Sequence, residues 1–369
     1  MKDFPARLSG LKGNGPVVGC FPLYPPLELM HSMGVLPVVL WDLRDQIKER
    51  SLSDTHLQNF VCSVARNLTE FIIGEGGPSF DGLFMYNACD TLRNLPEIIE
   101  EGLAVSGKNI SMLKMHIPAA RPDAPYSKEY MKRETEELLY ELQNITGESY
   151  HPDRFRRSVQ LYRVSRELLG DLEYAVIRGH MSFAEYSELA MLQAMFPPDV
   201  SIGPLLGNLE RHSPSCEEDP GAPRVIISGI LPPPASVIKD IEDAGLIVAG
   251  NDIAAFHRAS ARMPDDWPQA HDFVIDFYAE HFPCPTLLYT ADNRLEALIN
   301  LAEKRQADGF IFAGEKFCEY EYFEFPWITQ KLEERGLKTL VLEFAIDDRE
   351  TGTWKTRIEA FAELLRQDP

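Results

Sequence analysis

The sequence predicts an α/β protein of two doubly wound parallel-sheet domains with a helical insert between them. Two patterns and one length point there. Short apolar runs bounded by Gly or Pro alternate with helix-length stretches near both ends of the chain, as βαβ units do. A middle stretch loses the strand runs and becomes almost wholly helical and charged. At 369 residues the chain is long enough for two α/β domains.

The elements follow in order. Pro16 to Phe21 is a short apolar run of the kind a strand buried on both faces shows. A helix over residues 26–33 leads to a second strand from Val35 to Trp41. Leu57 to Ile73 has helical spacing, with Ser53 or Asp54 as N-cap and Gly74 near its end. Leu83 to Tyr86 is a third strand, Thr91 to Gly102 a helix, and Ser111 to Ile117 a fourth strand. From Ser127 to Phe196 the pattern is helical, and the polar, Pro-containing stretch from Ser213 to Gly221 reads as a loop. Strand runs return at Arg224 to Ser228, Leu246 to Ala249, Phe310 to Ala313 and Thr339 to Phe344, with a last helix from Thr356 to Arg366. These boundaries divide the chain into an N-terminal α/β domain (1–126), a helical middle segment (127–212) and a C-terminal α/β domain (213–369).

Composition narrows the function. Acidic residues outnumber basic ones 57 to 36, a net charge of −21. Nucleic acids and anionic membranes both select for Lys and Arg, so neither is an expected partner. The first residues lack the apolar run of a signal peptide, and nowhere do 18 apolar residues follow one another. The expectation is a cytoplasmic protein whose six cysteines are free thiols or metal ligands rather than disulfides. No G-x-G-x-x-G follows the first strand, which disfavours a dinucleotide-binding dehydrogenase, and no Walker A sequence occurs.

The cysteines carry the sharper signal. Asp81-Gly82-Leu83-Phe84 leads to Cys89 and a helix; Asp308-Gly309-Phe310-Ile311 leads to Cys318 and a helix from about Phe325. Both cysteines therefore follow the carboxyl end of a strand, the edge where open parallel sheets bind ligands. Cys89 sits where unpaired backbone N–H groups would lower its pKa, and Lys316 lies near Cys318. Cys62 reads as lying inside a helix, with Arg66 one turn later to offset a thiolate's charge, or else as a small buried hydrophobe. No C-x-x-C occurs, so any metal site is assembled from distant segments. Three thiolates fit an iron–sulfur cube with one open iron or an incomplete zinc site, and residue types alone do not separate these.

Five segments resemble the 2-hydroxyacyl-CoA dehydratase/benzoyl-CoA reductase family: Gly19–Trp41 (GCFPLYPPLELMHSMGVLPVVLW), Leu57–Arg66 (LQNFVCSVAR), Leu83–Leu95 (LFMYNACDTLRNL), Asp308–Trp327 (DGFIFAGEKFCEYEYFEFPW) and Gly352–Phe361 (GTWKTRIEAF). They stand in the family's order across nearly the whole chain. The resemblance implies two α/β domains holding a 4Fe–4S cluster between them, with the motif cysteines falling on Cys62, Cys89 and Cys318. It also implies an oxygen-labile lyase subunit that pairs with a homologous subunit in a hetero- or homodimer. A separate ATP-hydrolysing activator would inject one electron at a time. In the dehydratases that electron makes a ketyl radical of a 2-hydroxyacyl-CoA, which expels its hydroxyl; in the reductases it enters an aromatic acyl-CoA ring. The same motifs suit a non-catalytic subunit that only relays electrons. Outside the family, the competing reading is a doubly wound, metal-free binding protein with merely buried cysteines.

The chain also departs from some relatives. Where double-cubane members carry further cysteines, this sequence has Ser228-Gly229-Ile230 and Asn251-Asp252-Ile253-Ala254, which argues against an eight-iron cluster. Cys20, where relatives have an aromatic residue, and Cys284, in a Pro-flanked turn, are the remaining candidates to approach a cluster; Cys216 reads as a surface thiol. His31 reads as a core or supporting histidine and His116 as a candidate pocket residue. Tyr24, Tyr86 and Asn87 flank the expected edge as candidate donors or as packing. Glu319, Tyr320 and Glu321 either tune charge beside Cys318 or face solvent. No side chain is singled out for acid–base catalysis.

Overall fold

In a computed structural model, the structure describes residues 3–211, 221–265, 267–345 and 352–367. Strands β1 (Val17–Phe21), β2 (Leu36–Val39), β3 (Gly82–Tyr86) and β4 (Ser111–Met115) form one parallel sheet in the order β2-β1-β3-β4. Strands β5 (Arg224–Gly229), β6 (Ile247–Ile253), β7 (Gly309–Glu315) and β8 (Lys338–Phe344) form a second, in the equivalent order β6-β5-β7-β8. The α/β expectation holds, and so does the alternation that led to it. In β1, β2, β3 and β7 every residue is buried, because helices cover both faces of a parallel sheet. Of the edge strands, β4 and β8 carry exposed positions.

Between the sheets run four helices: Pro125–Thr146, Pro152–Ile177, Phe183–Met195 and Pro198–Leu209. Three begin with proline, whose missing N–H is no loss in a first turn. The fourth begins with a reciprocal capping box between Ser182 and Glu185. Gly147 ends the first of them with φ 72°, a left-handed turn that glycine adopts without strain. The span from Ser213 to Pro220, with Cys216, lies outside the described residues.

Two helix boundaries differ from the sequence reading. The stretch from Leu57 to Ile73 is not one helix. A short helix, Ser53–His56, gives way to extended backbone at Leu57, and a new helix starts at Ser63. The Glu70 carboxylate accepts the Leu52 and Ser53 N–H groups at 2.9 and 2.7 Å, capping the start of the short helix from the longer one. Cys62 is therefore the N-cap of Ser63–Ile73, not an interior residue. Likewise the helix after Cys318 starts at once, spanning Glu319–Glu333. The helix expected from Thr91 to Gly102 is two, Asp90–Arg93 and Leu95–Val105, the second opening with Pro96 in its first turn.

Beneath the carboxyl ends of the second sheet lies a fully buried charged network. Asp252, at the end of β6, accepts from Arg258 at 2.9 and 2.8 Å, from Arg294 at 2.7 Å and from the Ser228 hydroxyl at 2.7 Å. Arg294 also donates to Glu324 at 2.9 Å. Burial alone would raise the Asp252 carboxyl, but the two guanidinium groups overcome it and hold it well below the usual range. Ser228 and Asp252 belong to the two segments where a second cluster's cysteines would stand, and here they make ion-pair chemistry instead. Removing the shared carboxylate strands two buried cations, a loss of about 3–5 kcal/mol. Asp252→Ala is accordingly expected to lower the urea midpoint sharply, and a midpoint within experimental error of the parent would refute that account.

Candidate metal centre

Each of the three singled-out cysteines precedes a helix, and each sulfur receives backbone N–H groups. Cys62 takes those of Val64 and Ala65, Cys89 those of Thr91 and Leu92, and Cys318 that of Glu321. Cys89 lies just past the end of β3 and Cys318 just past β7, the third strand of each sheet in chain order. In a 2-1-3-4 sheet the crevice between the first and third strands is the switch point where ligands bind. Cys62 is brought to the second sheet through its neighbour, since the Ser63 hydroxyl hydrogen-bonds Glu315 at the end of β7. All three thiols are partly buried and unpaired by disulfides. Their sulfurs lie within electrostatic reach of one another: charge on Cys89 bears on Cys62, and both bear on Cys318.

The local environment holds these thiols neutral when no metal is bound. Burial, helped by Glu315, pushes Cys62 up to about 12, and burial with Glu321 and Cys62 holds Cys318 well above the usual thiol range. Cys89 is raised too, chiefly by burial. The expected lowering at Cys89 is thus overturned, because the N–H bonds are present but desolvation outweighs them. Nor do the expected cations serve the sulfurs. Arg66 pairs with Asp54, and the Lys316 ammonium lies 5.5 Å from the centre of the Phe317 ring. Two buried carboxyls stand beside the thiols. Burial pushes Glu315 up to about 8, against Ser63 and Arg44, and Glu321 up to about 7, against Arg258.

Among the described residues, no three His, Cys, Asp or Glu side chains converge tightly enough to hold a single metal ion. A four-iron cube asks for another arrangement, since its thiolates bind separate irons and so surround a volume instead of meeting at a point. Half-buried thiols from three segments, at mutual electrostatic range, suit that demand. A bound metal also reverses the pKa logic, because a coordinating thiol is deprotonated outright.

The other candidates fall elsewhere. Cys20 is fully buried against Met30, a small core hydrophobe. Cys284 is buried among Tyr24, Arg258 and Thr286, at 3.3, 3.4 and 3.2 Å. His31 joins the helix Leu27–Ser32 to the middle segment through Ser158 and Asp199, at 2.9 and 3.0 Å. His116 is exposed and packs on Tyr130. Asn87 brackets Ile117, donating to its carbonyl and accepting from its N–H, and Tyr86 donates to the Leu23 carbonyl. Both tie strand ends together. Exposed Glu319 bears on Cys89, and Tyr320 sits near it. Glu315, Ser63 and the Asp252 network were not among the residues drawn from the sequence; a glutamate closing a wholly apolar strand was the one available signal.

Comparison with known proteins identifies the family. The description 2-hydroxyglutaryl-CoA dehydratase, D-component, matches residues 22–365. The chain belongs to that family. Among its relatives, the (R)-phenyllactyl-CoA dehydratase beta subunit of Clostridium sporogenes is 24% identical over 356 residues, covering 94% of this chain and 91% of that protein. The beta subunit of (R)-2-hydroxyglutaryl-CoA dehydratase from Acidaminococcus fermentans is also 24% identical, over 94% of this chain and 92% of its own. A benzoyl-CoA reductase subunit of Thauera aromatica is 21% identical over 95% of this chain and 91% of its own. Among the described residues no helix is long and apolar enough to cross a membrane.

One buried group of this dehydratase-family chain makes its stability depend on pH. His281 is nearly inaccessible, and burial, with Arg258 and Arg166 repelling a second positive charge, lowers it from 6.5 to about 4. Its folded-state value lies below the unfolded one, so the neutral form is favoured in the native state. Its contribution is whole above pH 6.5 and falls by up to about 3 kcal/mol as pH drops toward 4. Urea midpoints for His281→Gln should therefore decline less between pH 6.5 and 4 than those of the parent; parallel declines would count against this.

Proposed function

We propose that this chain is an iron–sulfur subunit of a 2-hydroxyacyl-CoA dehydratase-type complex, with Cys62, Cys89 and Cys318 as thiolate ligands of one 4Fe–4S cluster. The observation that carries the reading is the gathering of these three thiols, from both sheets, at helix N-caps beside the carboxyl strand ends. Family membership supports the choice of an iron–sulfur cluster over zinc. When bound, such a cluster supplies one-electron transfer at low potential. The chain's own part is to surround it. N–H groups of Val64, Ala65, Thr91, Leu92 and Glu321 point at the sulfurs, and the buried residues around β3 and β7 exclude water.

Partners follow from the same reading. Two of the relatives are named as beta subunits, which supports a partner subunit here. The proposal makes that partner homologous and adds an ATP-hydrolysing activator as electron donor. Exposed Phe60 and Phe317 stand next to cysteine ligands, and exposed Phe323 and Trp327 lie one turn apart on the helix that Cys318 starts. Aromatic side chains of this sort are enriched at protein interfaces. The substrate in this reading is a 2-hydroxyacyl-CoA, which loses water. The match to a benzoyl-CoA reductase subunit supports a second reading, reduction of an aromatic acyl-CoA, and assays of the purified complex with each thioester distinguish them.

Oxygen-free purification of the full chain tests the cluster. About four irons and four acid-labile sulfides per chain are expected. Cys62→Ala, Cys89→Ala and Cys318→Ala should each strip or degrade the cluster, while Cys216→Ala should leave the iron content alone. Full iron occupancy in Cys89→Ala would remove that residue from the ligand set.

A further inference from the structure

Three cysteines account for three irons of a four-iron cube and leave one without a thiolate. Glu321 stands in the first turn of the helix that Cys318 caps, yet it does not reach into solvent: it is 1% exposed. Its backbone N–H donates to the Cys318 sulfur. Its Oε2 accepts the Glu315 N–H at 3.2 Å, while its Oε1 is buried without a hydrogen-bond partner. A carboxylate oxygen desolvated in this way is costly unless a donor or a cation meets it.

The nearby arginines and serine are committed elsewhere. Arg258 gives two hydrogen bonds to Asp252, and Arg294 divides itself between Asp252 and Glu324. The Ser63 hydroxyl serves Glu315. The Ile230 N–H also bears on this carboxyl, yet Oε1 keeps no hydrogen-bond partner. Glu321 in turn bears on the Cys318 sulfur, and carboxylate oxygen is an ordinary ligand of iron.

We propose that Glu321, through Oε1, is the fourth protein ligand of the cluster, on the iron that no cysteine binds. The inference rests on the cluster reading above. It carries a functional consequence by the logic that separates closed structural metal sites from open catalytic ones. With all four irons held by the chain, none is free for a thioester oxygen, so this subunit passes electrons and its partner meets the substrate.

The test is direct. The full chain is grown with glutamate labelled with carbon-13 at the side-chain carboxyl, purified without oxygen and reduced. Electron–nuclear double resonance then reads carbon-13 coupling to the cluster. The wild type should show the coupling, and Glu319→Gln, at an exposed neighbour, should keep it. Glu321→Gln should lose it and, on mild oxidation, shed about one iron in four. Adding (R)-phenyllactyl-CoA should leave the wild-type cluster spectrum unchanged. Iron-loaded wild type without the coupling, or a coupling that persists in Glu321→Gln, overturns the ligation and leaves the cluster reading standing. Wild type that binds no iron overturns both. The wild-type measurement decides even where Glu321→Gln fails to fold.

Discussion

Everything at the centre of this molecule depends on two parallel sheets joined through their carboxyl ends. Parallel strands all finish on one side of a sheet, so every strand-to-helix turn of a domain faces the same way. Here the turns of one sheet are tied to those of the other. Trp41, after β2, donates to the Ile230 carbonyl after β5 at 2.8 Å. Arg44 donates to the Pro232 carbonyl at 3.0 Å, and Tyr24, after β1, reaches the Ala254 carbonyl after β6 at 3.2 Å. The Ser63–Glu315 hydrogen bond completes the set. Residues far apart in the chain, Cys62 and Cys318 among them, become neighbours because these ties leave the turns no other arrangement.

That geometry explains what the sequence made legible. Strands buried on both faces must be continuously apolar, so β1, β3 and β7 stood out as apolar runs. Cys89 and Cys318 were readable for the same reason, each following such a run. Cys62 was singled out within its helical pattern but misplaced. A cysteine is a poor N-cap by the usual side-chain criterion, so nothing marked a helix start at Ser63 or Glu319. The Asp252 network was illegible for a different cause. Its arginines are of a type normally found at the surface, and only the fold brings Arg258, Arg294 and Ser228 around one carboxylate.

The electrostatic balance of the centre is one of restraint. Backbone N–H groups reach each sulfur, yet burial and two nearby carboxyls outweigh them, so the metal-free thiols keep their protons. On the proposed reading, loading a cluster would exchange these protons for metal and would be more favourable as pH rises. The buried arginines contribute by compensating charge close to Glu321 without touching the sulfurs. A chain with net charge −21 buries two arginines completely at its centre.

The helix Pro152–Ile177 has a consequence that belongs to mechanics rather than chemistry. Over its 26 residues it runs about 39 Å. Near its start Ser158 meets His31, and Arg166 pairs with buried Glu28, both partners in the first domain. Further along, Glu173 holds Asn251 and Arg305 of the second. The rod therefore works as a ruler set by a count of residues. One inserted residue between Arg166 and Glu173 would advance the far end by about 1.5 Å and swing it by about 100°, turning Glu173 away from Asn251. Descendants of this chain are free to lengthen its loops, but this helix is bound to its number.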